Sequence, residues 1–132
     1  MPGLPDRYFI DENMLSVGHA LDAVRNDIVH PGHPGCPDIP HGTRDALWLP
    51  KVGSRQWAVI MRDKRIRSRP GERELLRRHH VRAFCLTGSG DQTSWEMLDL
   101  LVRQWGGIEE RLRELGGPFL FAIALNGLRR LQ

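Results

Sequence analysis

"QWAVIMRD", residues Gln56–Asp63, decides the architecture. Trp57 to Met61 are all apolar, and the run then stops on two charges, Arg62 and Asp63. A strand with one wet face alternates apolar and polar residues. An unbroken apolar run marks a strand covered on both faces, as in parallel sheets with helices on either side. Val59 and Ile60 add β-branched side chains that suit a pleated surface.

Working outward, the same grammar repeats. "YFI" (8–10) is a short apolar run that stops on Asp11-Glu12-Asn13. Met14 to Arg25 reads as a helix with Leu15, Ala20, Leu21 and Val24 roughly on one face. "DIVH" (27–30) is a second short strand, followed by the irregular loop "HPGHPGCPDIPHG" (30–42). "GTRDALWL" (42–49) opens a helix with Thr43 as cap, and Pro50 is expected to end or bend it. Beyond the central run, Gly71 to His80 reads as a helix and "VRAFCLT" (81–87) as the fourth strand. Thr93 or Ser94 caps a helix running to about Trp105, with Trp95, Leu98, Leu101 and Val102 on one side. A further helix around Ile108 to Leu115 precedes "FLFAIAL" (119–125), the last strand. Trp48, Trp57, Trp95 and Trp105 fall on apolar patterns and are expected in the core.

Strands alternating with helices predict an α/β fold. The expectation is a three-layer sandwich, Rossmann- or flavodoxin-like, with a mostly parallel five-stranded sheet and helices on both faces. The 132 residues suit one domain spanning 1–132. The longest unbroken apolar stretch, Phe119 to Leu125, is far short of the roughly 20 residues that span a bilayer. No secretory signal is read at the N-terminus. Two lone cysteines, Cys36 and Cys85, make no disulfide framework, so a reducing cytoplasm is the expected compartment. His30, His33, Cys36 and His41 match no familiar zinc spacing, and that loop is expected to border the functional rim instead.

Net charge is only +3, but it is unevenly spread. Arg62 to Arg82 holds nine Lys/Arg against three Asp/Glu, so the rest of the chain is mildly acidic. A basic stretch on an acidic body favours a polyanion such as nucleic acid.

In parallel α/β sheets, ligands gather at the carboxyl ends of the strands. Asp11 ends the first strand, Asp63 the third, and Asp91 follows the fourth. Asp45 stands in the first turn of the helix after the long loop. Carboxylates converging on one edge repel each other unless a cation sits among them, and an all-oxygen donor set selects Mg²⁺ or Mn²⁺. Each acid also has a simpler reading, since Asp11 suits a helix cap and Asp45 a helix N-terminus. Glu12 would point away from Asp11 and ranks lower. Arg62, Lys64, Arg65, Arg67 and Arg69 stand beside Asp63 and suit a phosphate backbone.

"YFIDENM" (8–14), "TRDALWLP" (43–50) and "WAVIMRDKRIRSRPGE" (57–72) resemble the PIN-like ribonuclease domains of bacterial VapC-type toxins. The likeness is greatest to a divergent branch whose first strand ends in Asp-Glu-Asn, and it covers roughly Tyr8 to Trp105. The resemblance implies an RNA-cleaving enzyme using metal-activated water. It also implies Asp11, Asp45 and Asp63 as catalytic metal ligands, a co-encoded antitoxin and a homodimer. The chain departs from that pattern in having no Thr or Ser directly before Asp63 and no second acid soon after it. Asp91 is then the candidate for the fourth acidic position. Two alternatives stay open. A receiver-like phosphoacceptor domain needs a lysine after the last strand, where "ALNGLRR" offers Arg129. A non-catalytic RNA-binding module on the same scaffold would bind without metal.

Overall fold

The computed structural model describes residues 2–62, 70–87 and 92–132. β1 (Tyr8–Ile10) leads through a 3₁₀ turn, Glu12–Met14, into α1 (Leu15–Val24). β2 (Ile28–Val29), α2 (Asp45–Ser54), β3 (Ala58–Arg62), α3 (Pro70–Arg78) and β4 (Arg82–Leu86) follow. The chain closes with α4 (Ser94–Glu114), β5 (Phe119–Ala124) and β6 (Gly127–Arg130).

The strands form one sheet in the order β2-β1-β3-β4-β5-β6. All neighbours are parallel except β5 and β6. The expected five-stranded sheet therefore has a sixth strand. "ALNGLRR" is a hairpin rather than the mere end of β5, and Gly127 takes φ +133° at its turn, a conformation open to glycine.

Alternation along each strand divides the core. Tyr8, Ile10, Ile60, Phe84, Leu86, Phe119 and Phe121 pack with α1 and α4 on one face. Phe9, Val59, Met61, Ala83, Cys85 and Leu120 pack with α2, Leu76 of α3 and the loop residues Cys36 and Ile39 on the other. This is the three-layer α/β sandwich that the continuous apolar strands imply.

Four local expectations are corrected. Of the two effects expected of Pro50, ending or bending α2, the first does not occur, because the helix continues to Ser54. A helix-interior proline costs about 3 kcal/mol. Trp48, Leu49 and Val52 are buried around it, and at about 1.5–3 kcal/mol each they offset that cost. Thr43 does not cap α2: Arg44 holds the cap position, and the Thr43 hydroxyl donates to the Pro40 carbonyl at 2.6 Å.

The two expected late helices are one, α4, which passes straight through Gly106-Gly107. Buried Trp105, Ile108 and Leu112 hold the stripe together across that weak point. The buried face of α4 is Met97, Leu100, Leu101, Trp105, Ile108 and Leu112. Trp95 and Val102 were expected on the inner side and are instead 77% and 61% exposed. Trp48, Trp57 and Trp105 are core residues as expected. Among the described residues, no helix is long and apolar enough to cross a membrane.

Candidate metal centre at the carboxyl edge

The order of the first five strands, 2-1-3-4-5, reverses its winding between β1 and β3. A crevice opens at such a switch point, outside the carboxyl ends of the two strands. Asp11 follows β1 there. Its amide donates to the Ile60 carbonyl at 3.0 Å, so the backbone is still held against β3 as the strand ends. Its side chain accepts from the Glu12 amide at 2.7 Å and caps the 3₁₀ turn. Asp11 is thus a cap and a rim residue at once.

Asp45 is the first residue of α2, where the helix dipole favours a carboxylate. The Trp48 indole N–H donates to its Oδ1 at 3.1 Å and fixes the carboxylate one turn back along the helix. Asp11 and Asp45 line the same narrow cleft, together with Trp48, Leu49, Met61, Leu76 and Glu72. Glu72 was not singled out in the sequence. It stands in the first turn of α3, as Asp45 stands in the first turn of α2. That shared signal, an acid opening the helix after a strand or loop that ends at the rim, was available to find it. Two helix N-termini, each carrying an acid in its first turn, supply two of the three carboxylates.

Outside the cleft, Asp11 and Asp45 also border a wider groove with Glu12, Asn13, Gly42, Thr43 and Arg44. Glu12 turns toward the loop: its Oε1 accepts the Gly42 amide at 2.7 Å and lies 3.8 Å from His41 Nδ1. The long loop therefore does border this rim. Its middle is held by Asp38, whose main-chain carbonyl accepts from Lys51 Nζ at 2.7 Å and whose carboxylate accepts from Arg55. The Arg55 hydrogen bond keeps the Asp38 carboxyl below the usual carboxylate range. Asn13 donates its amide to the Arg62 carbonyl and so ties the ends of β1 and β3 together.

Asp63, Asp91, Lys64, Arg65, Arg67 and Arg69 lie outside the described residues. Arg62 ends β3 at the rim, half-buried. A larger groove, lined by Gly53, Arg78, His79, His80 and Arg82, contains no carboxylate and offers nothing to a hard cation.

A model of the PIN like domain matches residues 7–88, more than half of the chain. The chain belongs to the PIN-like domain family. No curated protein and no solved structure matches it. PIN-like domains are in general nucleases and typically use divalent metal ions. The chemistry of the lining suits such an ion: three carboxylates, no thiol and no imidazole line the cleft. The family match also covers the three segments on which the resemblance was read, "YFIDENM", "TRDALWLP" and "WAVIMRDKRIRSRPGE". It leaves the receiver-like alternative without support, and the β5–β6 turn at Leu125-Asn126 carries no lysine.

Proposed function

We propose that the chain is a Mg²⁺- or Mn²⁺-dependent endoribonuclease acting at the β1/β3 carboxyl edge. The observation that carries this reading is the single cleft shared by Asp11, Asp45 and Glu72. Asp11, Asp45 and Glu72 hold the ion, with Asp63, the next residue in the sequence after β3, as a further ligand. A bound divalent ion supplies a more acidic water and a positive counter-charge for the phosphodiester. Trp48 holds Asp45 in its ligating orientation, and Asn13 keeps the end of β3 at its distance from β1. Arg62, Lys64, Arg65, Arg67 and Arg69 hold the RNA backbone, the role that their positive charge and position in the sequence support. Asp91 remains a candidate for an additional acidic position.

The wider role we propose is that of a toxin neutralised by a co-encoded antitoxin, acting in the cytoplasm as a homodimer. PIN-like domains often work in such pairs, which supports this reading. The test uses purified protein and single-stranded RNA with Mn²⁺ or EDTA. Cleavage that needs Mn²⁺ and vanishes in Asp11→Asn supports the nuclease. Binding without cleavage in either condition refutes it.

A further inference from the structure

A second group of ligating side chains lies away from the carboxylate cleft. Asp22 is on α1, His30 directly follows β2, and His33 is in the loop. One donor atom from each lies within 4.8 Å of the others. His33 Nε2 is 3.1 Å from Asp22 Oδ2. Two donors on one tetrahedral Zn²⁺, at 2.0–2.2 Å from the metal, stand about 3.3 Å apart. The Asp22–His33 pair already has that spacing.

His30 is only 5% exposed. Its Nδ1 lies 2.9 Å from the Pro31 carbonyl, an acceptor, so Nδ1 carries the ring proton and Nε2 presents a lone pair. An imidazole oriented by a carbonyl on its other nitrogen is the usual arrangement of a metal-bound histidine. The residue is held from the main chain too, since Cys36 Sγ donates to its carbonyl at 3.1 Å. Burial raises the Cys36 pKa, so the thiol is not itself a ready ligand.

We propose that Asp22, His30 and His33 form a site for a borderline divalent cation, zinc in chemical class, that staples the loop to α1. Two nitrogens and one oxygen suit Zn²⁺ or Co²⁺, whereas the all-oxygen cleft suits Mg²⁺ or Mn²⁺. Water completes the coordination. The site has a proton balance of its own. His33 Nδ1 now accepts the Gly35 amide at 2.8 Å, so its proton sits on Nε2 and faces Asp22. Binding moves that proton to Nδ1, with none gained or lost, and the Gly35 amide must turn away. The loop carries Asp45 just beyond its far end, so the staple steadies one wall of the cleft. The proposal does not rest on the nuclease reading.

The test is a Co²⁺ and Zn²⁺ titration of the full chain, followed by Co²⁺ visible absorption and by the Gly35 amide resonance. The expected result is one equivalent of Co²⁺ giving tetrahedral bands and a shifted Gly35 amide, distinct from any six-coordinate Co²⁺ in the carboxylate cleft. The affinity read from the tetrahedral bands falls at least about tenfold in both Asp22→Asn and His33→Gln, and is unchanged in Asp11→Asn. Far-UV circular dichroism checks that both variants fold. Absence of binding, retention of full affinity in both variants, or loss in Asp11→Asn overturns the proposal. The last outcome would put the ion in the carboxylate cleft. RNA cleavage fails or survives separately from all of these readouts.

Discussion

The Asn13 side-chain amide donates to the main-chain carbonyl of Arg62, 49 residues away, and closes the rim between β1 and β3. Asn13→Ala removes this hydrogen bond and is expected to cost about 1 kcal/mol in denaturant unfolding. Asn13→Asp is expected to cost more, because a carboxylate would then face a carbonyl oxygen. If both variants unfold like the parent, the tie is not a structural element of the site.

Trp48 and Glu72 give two graded tests of the cleft. Trp48→Phe keeps an aromatic ring in the core, deletes the donor to Asp45 and leaves a small void beside Phe9. It is expected to weaken Mn²⁺ binding about tenfold and to cost about 1–3 kcal/mol of stability, so affinity is read below the unfolding transition. Glu72→Gln is expected to lower metal-dependent RNA cleavage about 100-fold, on the scale of several kcal/mol that a metal contributes to phosphoryl chemistry. Calorimetric Mn²⁺ titration and a cleavage assay separate the two effects.

Arg82 is a buried cation at the amino end of β4, and its role is structural. It is 6% exposed and donates to the carbonyls of Gly3 at 2.6 Å and Gln56 at 3.0 Å. Burial lowers its pKa, but the guanidinium stays charged. Arg82→Met leaves those carbonyls unsatisfied and is expected to destabilise the fold by about 1–3 kcal/mol, read by urea unfolding. RNA affinity per folded molecule should not change.

The Thr93–Glu96 capping box at the start of α4 carries a pH signature. The Thr93 amide and the Glu96 carboxylate bond at 3.0 Å, and the Glu96 amide bonds Thr93 Oγ1 at 3.1 Å. These bonds to Thr93 lower the Glu96 pKa in the folded state. A depressed carboxyl pKa stabilises the fold fully above the unfolded value of about 4.3, and the gain is lost as pH falls through the folded value. The difference in melting temperature between the parent and Glu96→Gln is therefore expected at neutral pH and should shrink below about pH 4. A constant difference down to acid pH would contradict this assignment.

Much of the fold was legible because the strands are continuous apolar runs and their ends are charged. "QWAVIMRD" alone implied burial on both faces, and the two-sided core around Val59 and Ile60 follows from it. What escaped the sequence was context. Pro50 reads as a helix stop until the buried Trp48, Leu49 and Val52 are seen around it. Trp95 reads as core because its size invites burial, yet the stripe of α4 is set by Met97, Leu101, Trp105, Ile108 and Leu112, and Trp95 falls off it. β6 was hidden because Arg129 and Arg130 are polar, and an edge strand tolerates that. At the rim, position in the sequence was enough to bring Asp11 and Asp45 together, and both line one cleft. Glu72 was missed because it lies in the basic stretch and nine residues after Asp63, too far to be read as a strand-end acid. Asp22 was missed because its partners come from a different element.

The central claim is that Asp11, Asp45 and Glu72 surround one hard cation. Room-temperature electron paramagnetic resonance of a Mn²⁺ titration tests it most directly, since bound Mn²⁺ loses its sharp six-line signal. Saturable binding is predicted for the parent chain, weakened at least about tenfold in each of Asp11→Asn, Asp45→Asn and Glu72→Gln, and unchanged in Asp22→Asn. Equal Mn²⁺ affinity in the parent and the three cleft variants would contradict the account.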